Sequence, residues 1–286
     1  MELKICNLVK KYGKHTAVNG ISFTVKKGSP LALIGRNGAG KSTTIKMILG
    51  LVSADSGTIE MDRSLKVGYL PEERGVYQDA TVDEHLDFFA RIAKVKDVKK
   101  AKSYWLEKFE LYNYKDFKLK DLSKGNAQKV QLAITLINNP DIVILDEPLS
   151  GLDPVNIELF KKIINSECRD KYLIMCGHQM NHIESLCDNV VLMKEGNVVA
   201  QGNLNEVKRK YGRKKVIINY NSKYYEKLKD YNIKRDNNDI IIYDIESLAD
   251  LEKLISKLDD NVLYIKYQLP TLQELFIKLL EGAEGQ

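Results

Sequence analysis

Residues 35–43 read GRNGAGKST, which fits the pattern G-x-x-x-x-G-K-[ST] at every fixed position. Gly35, Gly38 and Gly40 let the backbone curl so that consecutive N–H groups face inward around a phosphate. The short apolar stretch PLALI (30–34) precedes the loop, and the helical pattern STTIKMILGL follows it. The loop is therefore placed against the positive amino end of a helix. In that setting Arg36, Asn37, Ala39 and Thr43 complete, with the three glycines, a cradle for a nucleoside triphosphate. Lys41 brings a point charge to the β- and γ-phosphates, and the Ser42 hydroxyl is a hard oxygen for Mg²⁺.

A second constellation lies a hundred residues on. The buried-strand stretch IVIL (142–145) ends in Asp146 and Glu147. A strand-terminal acidic pair can be a helix cap or a surface turn, but a complete phosphate loop upstream favours chemistry. Asp146 is placed to hold Mg²⁺ through water, and Glu147 stands where a base orients the attacking water. His178 follows another apolar strand, YLIMCG. His178 and His182 have the four-residue spacing of H-E-x-x-H zinc helices, yet Gln179, Met180 and Asn181 supply no glutamate between them, so the zinc reading fails. The stretch GYLPEERGVY (68–77) begins as a strand end, meets a proline and then carries Glu72, Glu73 and Arg74. Charges in such a turn serve solubility or face a partner, and nothing local decides between the two.

The elements that must position these groups follow from periodicity. Residues 2–8 and 16–25 read as strands, as do 58–61, 67–70, 172–176, 190–193 and 197–200. From residue 81 the period becomes helical, with a Thr81/Glu84 capping box, and 81–137 reads as helices throughout. A further helix is expected over 154–168. Strands apolar on both faces, alternating with helices, predict an α/β domain with a mainly parallel sheet over residues 1–210. After residue 210 the order becomes β-α-β-α-β, with an extra edge strand near Ile233–Arg235 and a final helix TLQELFIKLL: a small α+β domain over 211–286, ferredoxin-like in pattern.

Composition excludes several classes. The chain has 286 residues, 44% hydrophobic and 29% charged, with six prolines, the profile of an ordinary folded protein. No run approaches a membrane span and no apolar core follows Met1, so a cytosolic protein without a secretory signal is expected. Four scattered cysteines without C-x-x-C pairing are read as reduced and structural. The net charge is +5, its positive excess sits in the first 210 residues, and it lacks the stripe of basic and aromatic residues that marks a nucleic-acid platform. The dense cluster KRKYGRKK (208–215) reads as a solvated linker, with an anionic-lipid or partner contact as the alternative.

Three further stretches select among nucleotide-binding proteins: LSKGN (122–126) at the start of a helix, LSGLD (149–153) directly after Glu147 and Pro148, and His178 after its strand. With Tyr12 in KKYGK, these resemble the ATP-binding subunits of ABC transporters over residues 1–210, and residues 211–286 resemble the accessory domain of exporter-type members. The resemblance implies a P-loop ATPase core with an antiparallel β subdomain and a helical insert. It implies that ATP and Mg²⁺ bind, that two subunits, identical or not, close around two ATP, and that a separate membrane-spanning permease is driven from the cytoplasmic face, in export of an ion, drug or antibiotic. Ser123, Lys124, Gly125 and Asn126 would then meet the γ-phosphate held by the other subunit, and Asp153 would cross the same interface. Glu147 and His178 would hold the attacking water. Tyr12 would stack on adenine, although a tyrosine beside a turn also serves packing.

Two departures from the family pattern stand out. The usual LSGGQ is LSKGN, which adds the Lys124 charge and shortens the amide at Asn126. Where the family carries a glutamine that reaches Mg²⁺, this chain carries Glu72, a better hard ligand that also adds negative charge. The other class considered is a non-transport ABC ATPase acting on nucleic acid or ribosomes. Such proteins usually carry two cassettes or a long coiled-coil insert, and this chain has one cassette and a compact insert, so no nucleic-acid partner is expected.

Overall fold

Leu31–Gly35, Ile142–Asp146 and Tyr172–Cys176 are buried at every position, as strands covered on both faces must be. The computed structural model describes residues 2–72, 75, 77–219, 226–236, 239–243, 245, 247–258 and 262–281. By contacts the chain divides into two units, one ending at Leu204 and the other beginning at Asn205, a little before the boundary expected near residue 210.

The first unit opens on a hairpin of β1 (Glu2–Tyr12) and β2 (His15–Lys26). β3 (Leu31–Gly35) runs through the glycine loop into α1 (Lys41–Ile48), and β4 (Ser56–Glu60) returns to the hairpin. The result is a three-stranded antiparallel sheet, β2-β1-β4. β5 (Val67–Leu70) leads to the helical insert of α2 (Val82–Ile92), α3 (Val98–Lys108) and α4 (Lys124–Leu136). Then come β6 (Ile142–Asp146), α5 (Pro154–Glu167), β7 (Tyr172–Cys176), α6 (Met180–Leu186), β8 (Asn189–Lys194) and β9 (Asn197–Asn203). Six strands form the main sheet in the order β5-β6-β7-β3-β8-β9, parallel except for the β8–β9 hairpin. One core joins both sheets, with Leu3, Ile5 and Phe23 packed in the same cluster as Leu33, Ile144 and Ile174.

The insert is less uniformly helical than its period suggests. Between α3 and α4 the chain runs through two single turns of 3-10 helix, Tyr112–Tyr114 and Leu119–Asp121, and a bridge ties Thr81 to Lys118. α2 starts on a reciprocal cap: Thr81 Oγ1 accepts from the Glu84 N–H at 3.2 Å, and Glu84 Oε2 accepts from the Thr81 N–H at 2.7 Å. An aromatic chain anchors the insert to the core. Trp105 stacks on Phe109, and Phe109 meets Phe160 of α5 edge-on at 5.9 Å between centroids, with both phenylalanines fully buried.

α7 (Leu204–Tyr211) spans the division between the units, and it corrects the reading of KRKYGRKK as a solvated linker. Leu204 and Val207 repeat at helical spacing and are buried, while Lys215 opens β10 (Lys215–Asn219), buried, with its ammonium 2.7 Å from Glu274. The charges masked a helix and the start of a strand. β11 (Ile233–Asp236), β12 (Asp239–Tyr243), α8 (Leu248–Ile255), β13 (Ile265–Gln268) and α9 (Leu272–Phe276) follow. The four strands are ordered β11-β12-β10-β13 with every pairing antiparallel, the order of a ferredoxin-like sheet. Val216, Ile218, Ile240, Ile242, Leu228 and Leu254 make its core. Residues 222–225 of the helix expected at SKYYEKLKD lie outside the described residues, as do Glu73 and Arg74, and of the rest only 226–227 are helical before the chain turns. No helix among the described residues is long and apolar enough to cross a membrane.

Phe160→Ala removes the anchor between insert and core. It is expected to cost about 3–5 kcal/mol, the range for deleting a buried phenylalanine, measured by urea unfolding of the whole chain.

Candidate active site

β5, β6, β7 and β3 are parallel neighbours, so their carboxyl ends lie side by side, where ligands bind in open α/β sheets. β3 ends at Gly35, and the phosphate loop follows. Gly40 has φ +99°, and a Cβ added there would stand 2.4 Å from the Ala17 carbonyl oxygen of β2. A Cβ on Gly35 would stand 2.5 Å from the Met193 carbonyl oxygen of β8. Both glycines are required by backbone clearance, and Gly40 by its left-handed conformation as well. Lys41 Nζ donates to the carbonyls of Gly35 at 2.8 Å and Arg36 at 3.2 Å, which holds the ammonium over the loop.

β6 and β7 bring the acid and the histidine together. Their register pairs Asp146 with Cys176, so the residues that follow each are also neighbours. The Glu147 N–H donates to the Cys176 carbonyl at 3.0 Å. Glu147 Oε2 accepts from the His178 N–H at 3.3 Å, and Oε1 lies 3.3 Å from His178 Nε2. Glu147 has φ +51°, an uncommon conformation for a residue with a side chain. Such strain costs about 1–3 kcal/mol and persists where the surroundings over-determine it.

A cavity of about 390 Å³ is lined by Tyr12, Asn37, Gly38, Ala39, Gly40, Lys41, Ser42, Thr43, Glu72, Asp146, Glu147 and His178. Gly35 and Arg36 do not line it, and their carbonyls accept from the Lys41 ammonium that does. His15 and Ala17 also line it, and the sequence reading did not single them out. Their signal was the two-residue turn after Tyr12: β1 and β2 pair Tyr12 with His15, so a residue assigned to one side of the mouth implies its neighbour across the hairpin. Tyr12 is exposed, with the Lys10 ammonium 5.5 Å from its ring centroid.

The charges in this cavity act on one another. Burial first, then the carboxylates of Glu72 and Glu147, push Asp146 up to about 6, against the pull of Lys41 and His178. The same burial, with Asp146 nearby, pushes the Tyr69 phenol up to about 12. The donor set suits Mg²⁺ beside a triphosphate: a hydroxyl on Ser42 and carboxylates on Asp146 and Glu72, all hard oxygens, with a lysine for phosphate. The loop suits the phosphates, since a Cβ on Gly38, at φ +81°, would meet nothing within 4 Å.

Ser123, Lys124, Gly125, Asn126 and Asp153 do not line this cavity. They gather elsewhere, around the LSGLD turn. Ser123 caps α4, its hydroxyl accepting from the Asn126 N–H at 3.2 Å. A Cβ on Gly125 would lie 2.7 Å from the Asn156 side-chain nitrogen, and one on Gly151 would lie 2.2 Å from Lys124 Nζ, so the lysine is laid across that glycine. Gln128 Nε2 donates to the Ser150 carbonyl at 2.8 Å. Asp153 caps α5, accepting from the Asn156 N–H at 3.0 Å.

A folded carboxyl that titrates near 6 holds its proton above the ordinary aspartate range, so its stabilising contribution is present near pH 4 and is lost as pH rises through about 6. Asp146→Asn is expected to flatten that part of the stability–pH curve of the ligand-free protein. Glu72→Gln is expected to move the Asp146 midpoint down, read by carboxyl carbon NMR; an unmoved midpoint would mean that the Glu72 charge does not reach it.

Residues 18–150 match the family model described as ABC transporter. An uncharacterised ABC transporter ATP-binding protein of Methanocaldococcus jannaschii is 45% identical over 73% of this chain and 80% of its own length. The linearmycin resistance ATP-binding protein of Bacillus subtilis is 30% identical over 96% of each chain. Among solved structures, an ATP-binding subunit of an ABC transporter superposes with a TM-score of 0.67 at 30% identity, over 74% of this chain and 93% of that one. With its phosphate loop, its paired acids and this likeness in both sequence and fold, the chain belongs to the ATP-binding subunits of ABC transporters.

Proposed function

We propose that two such subunits close around two ATP molecules and that closure and hydrolysis drive a separate membrane-spanning subunit from its cytoplasmic face, in export. The observation that carries this reading is the separation of two anion-binding features. The glycine loop and the acidic residues line one cavity, whereas the Ser123 cap and the amino end of α4 lie outside it, with Ser123 and Lys124 exposed. A helix amino end offers N–H donors to an anion. That these donors stand apart from the chain's own phosphate loop supports a site completed by a second subunit. The linearmycin resistance relative, similar over nearly the whole chain, supports export.

In this reading the loop N–H groups and Lys41 hold the phosphates, and Tyr12 stacks on adenine. Ser42, Asp146 and Glu72 are the residues that would hold Mg²⁺, which when bound offsets charge on the phosphate oxygens. Glu147 takes the proton from the attacking water. His178 donates from its backbone N–H to one carboxylate oxygen and stands with its ring at the other, so it fixes the direction of the base and lies beside the γ-phosphate. Asp153 crosses to the second subunit.

Glu147→Gln is expected to keep ATP binding and to slow hydrolysis by about 10²–10⁴, as loss of a general base does, so that an ATP-bound dimer accumulates in size-exclusion chromatography with light scattering. A monomer that turns ATP over at the unmutated rate would overturn the reading. Glu72→Gln is expected to bind ATP as before and to shift the Mg²⁺ dependence of hydrolysis. Identical Mg²⁺ titrations would remove Glu72 from the metal site.

A further inference from the structure

α4 is fastened to the LSGLD turn at two points of one helical face. Lys124 and Gln128 stand four residues apart, so both project toward the same side. The lysine stem crosses Gly151, and Gln128, only 2% exposed, donates from Nε2 to the Ser150 carbonyl at 2.8 Å. The other arm of that amide is idle: Oε1 is buried and has no hydrogen-bond partner among the described residues. A buried acceptor left without a donor is costly, and an apolar side chain of the same length would avoid the cost. What the amide supplies in return is the N–H on Ser150.

Ser150 closes a turn that begins at Glu147. Its N–H donates to the Glu147 carbonyl at 3.3 Å, and Pro148 takes the second position, where its fixed φ favours turning. The Glu147 N–H is tied the other way, to the Cys176 carbonyl at 3.0 Å. The left-handed backbone of Glu147, at φ +51°, is therefore held between the end of β7 and Ser150. Gln128 itself does not line the nucleotide cavity. It lies a short run of helix from the Ser123 cap, and it reaches the base through Ser150 by hydrogen bonds alone.

We propose that Gln128 is a positioning residue for Glu147. It joins the amino end of α4, Ser150 and the base into one unit, so that a phosphate seated on α4 steadies the base of the same chain. The inference rests on the two-subunit reading, in which that phosphate belongs to ATP on the second subunit's loop. Hydrolysis in each site then depends on occupancy of the other. Lys124 lies along the same path, and its stem limits how far the Gly151 side of the turn can part from α4.

The test uses full-length chains in pairs whose sites both hold ATP while only one hydrolyses it. An unmutated chain is mixed with a large excess of the Glu147→Gln chain, so that every working base sits in a mixed pair, and phosphate formed in the first turnover is measured. In the first arm Gln128→Met is on the chain with the working base. In the second arm it is on the Glu147→Gln chain, whose α4 completes the working site. The first arm is expected to lose about 10–10²-fold in rate at saturating ATP, as misplacing a reacting group does, with the ATP concentration for half-maximal rate unchanged. The second arm is expected to match the mixture without Gln128→Met. Slowing in the second arm, alone or with the first, makes Gln128 a support for α4 and overturns the inference. No slowing in either arm overturns it too, as does a Gln128→Met chain that no longer pairs by light scattering. If no mixture forms ATP-dependent pairs, the two-subunit reading falls with it. Gln128→Met nearly conserves volume, so the melting temperature is expected to hold, and Gln128→Leu, which removes the same donor with another shape, is expected to repeat the pattern.

Discussion

The cost of burying a carboxylate beside other carboxylates at the carboxyl edge of the main sheet is the constraint on which the rest of this structure depends. Asp146 is forced to titrate near 6 because it is buried and because Glu72 and Glu147 stand close to it. Two charges 4 Å apart interact by about 4 kcal/mol at an effective dielectric of 20, so acids cannot be gathered this way without cations to offset them. Lys41 and His178 supply part of that offset, and a bound dication would supply more, since a triphosphate brings negative charge of its own. A site of this charge is expensive until its ligand arrives, and the fold must hold it in place meanwhile.

It does so with backbone rather than with side-chain packing. The β6–β7 register fixes Glu147 beside His178, and the Glu147 N–H is tied to the end of β7. The clearances at Gly35 and Gly40 fix the phosphate loop against β8 and β2. The helical insert is then carried on the same core through Phe109 and Phe160, while α4 reaches the LSGLD turn through Gln128 and the Lys124 stem. Lys124, read from sequence as a charge added near phosphate, is in the structure also a strut across Gly151. Asp153 likewise serves as the cap of α5.

The parts that were legible in the sequence are those whose physics is local. β7 runs over the residues read from its apolar run, and β3 and β6 differ from theirs only at their ends, because strands buried on both faces tolerate no polar interruption. The Thr81 cap could be read because a capping box is a four-residue device. The phosphate loop could be read because close backbone approach demands glycine at fixed spacing. What was hidden depends on partners distant in sequence. α7 was concealed because three consecutive basic residues, Lys208, Arg209 and Lys210, interrupt its few apolar ones, and the salt bridge that lets Lys215 be buried comes from Glu274. His15 escaped notice because its place at the cavity follows from hairpin pairing rather than from its own residue type. The left-handed backbone of Glu147 has no signature in a stretch reading DEP.

The central claim is that the nucleotide site is completed by a second subunit. The most direct measurement mixes two variants that are each inactive, one with Lys41→Ala in the phosphate loop and one with Ser123→Arg at the amino end of α4. A mixed pair contains one site with both parts intact, the loop from the Ser123→Arg chain and the helix end from the Lys41→Ala chain. The account predicts that ATP turnover returns on mixing and rises with the fraction of mixed pairs. Turnover that stays at the sum of the two separate proteins, while light scattering shows that mixed pairs form, would contradict it.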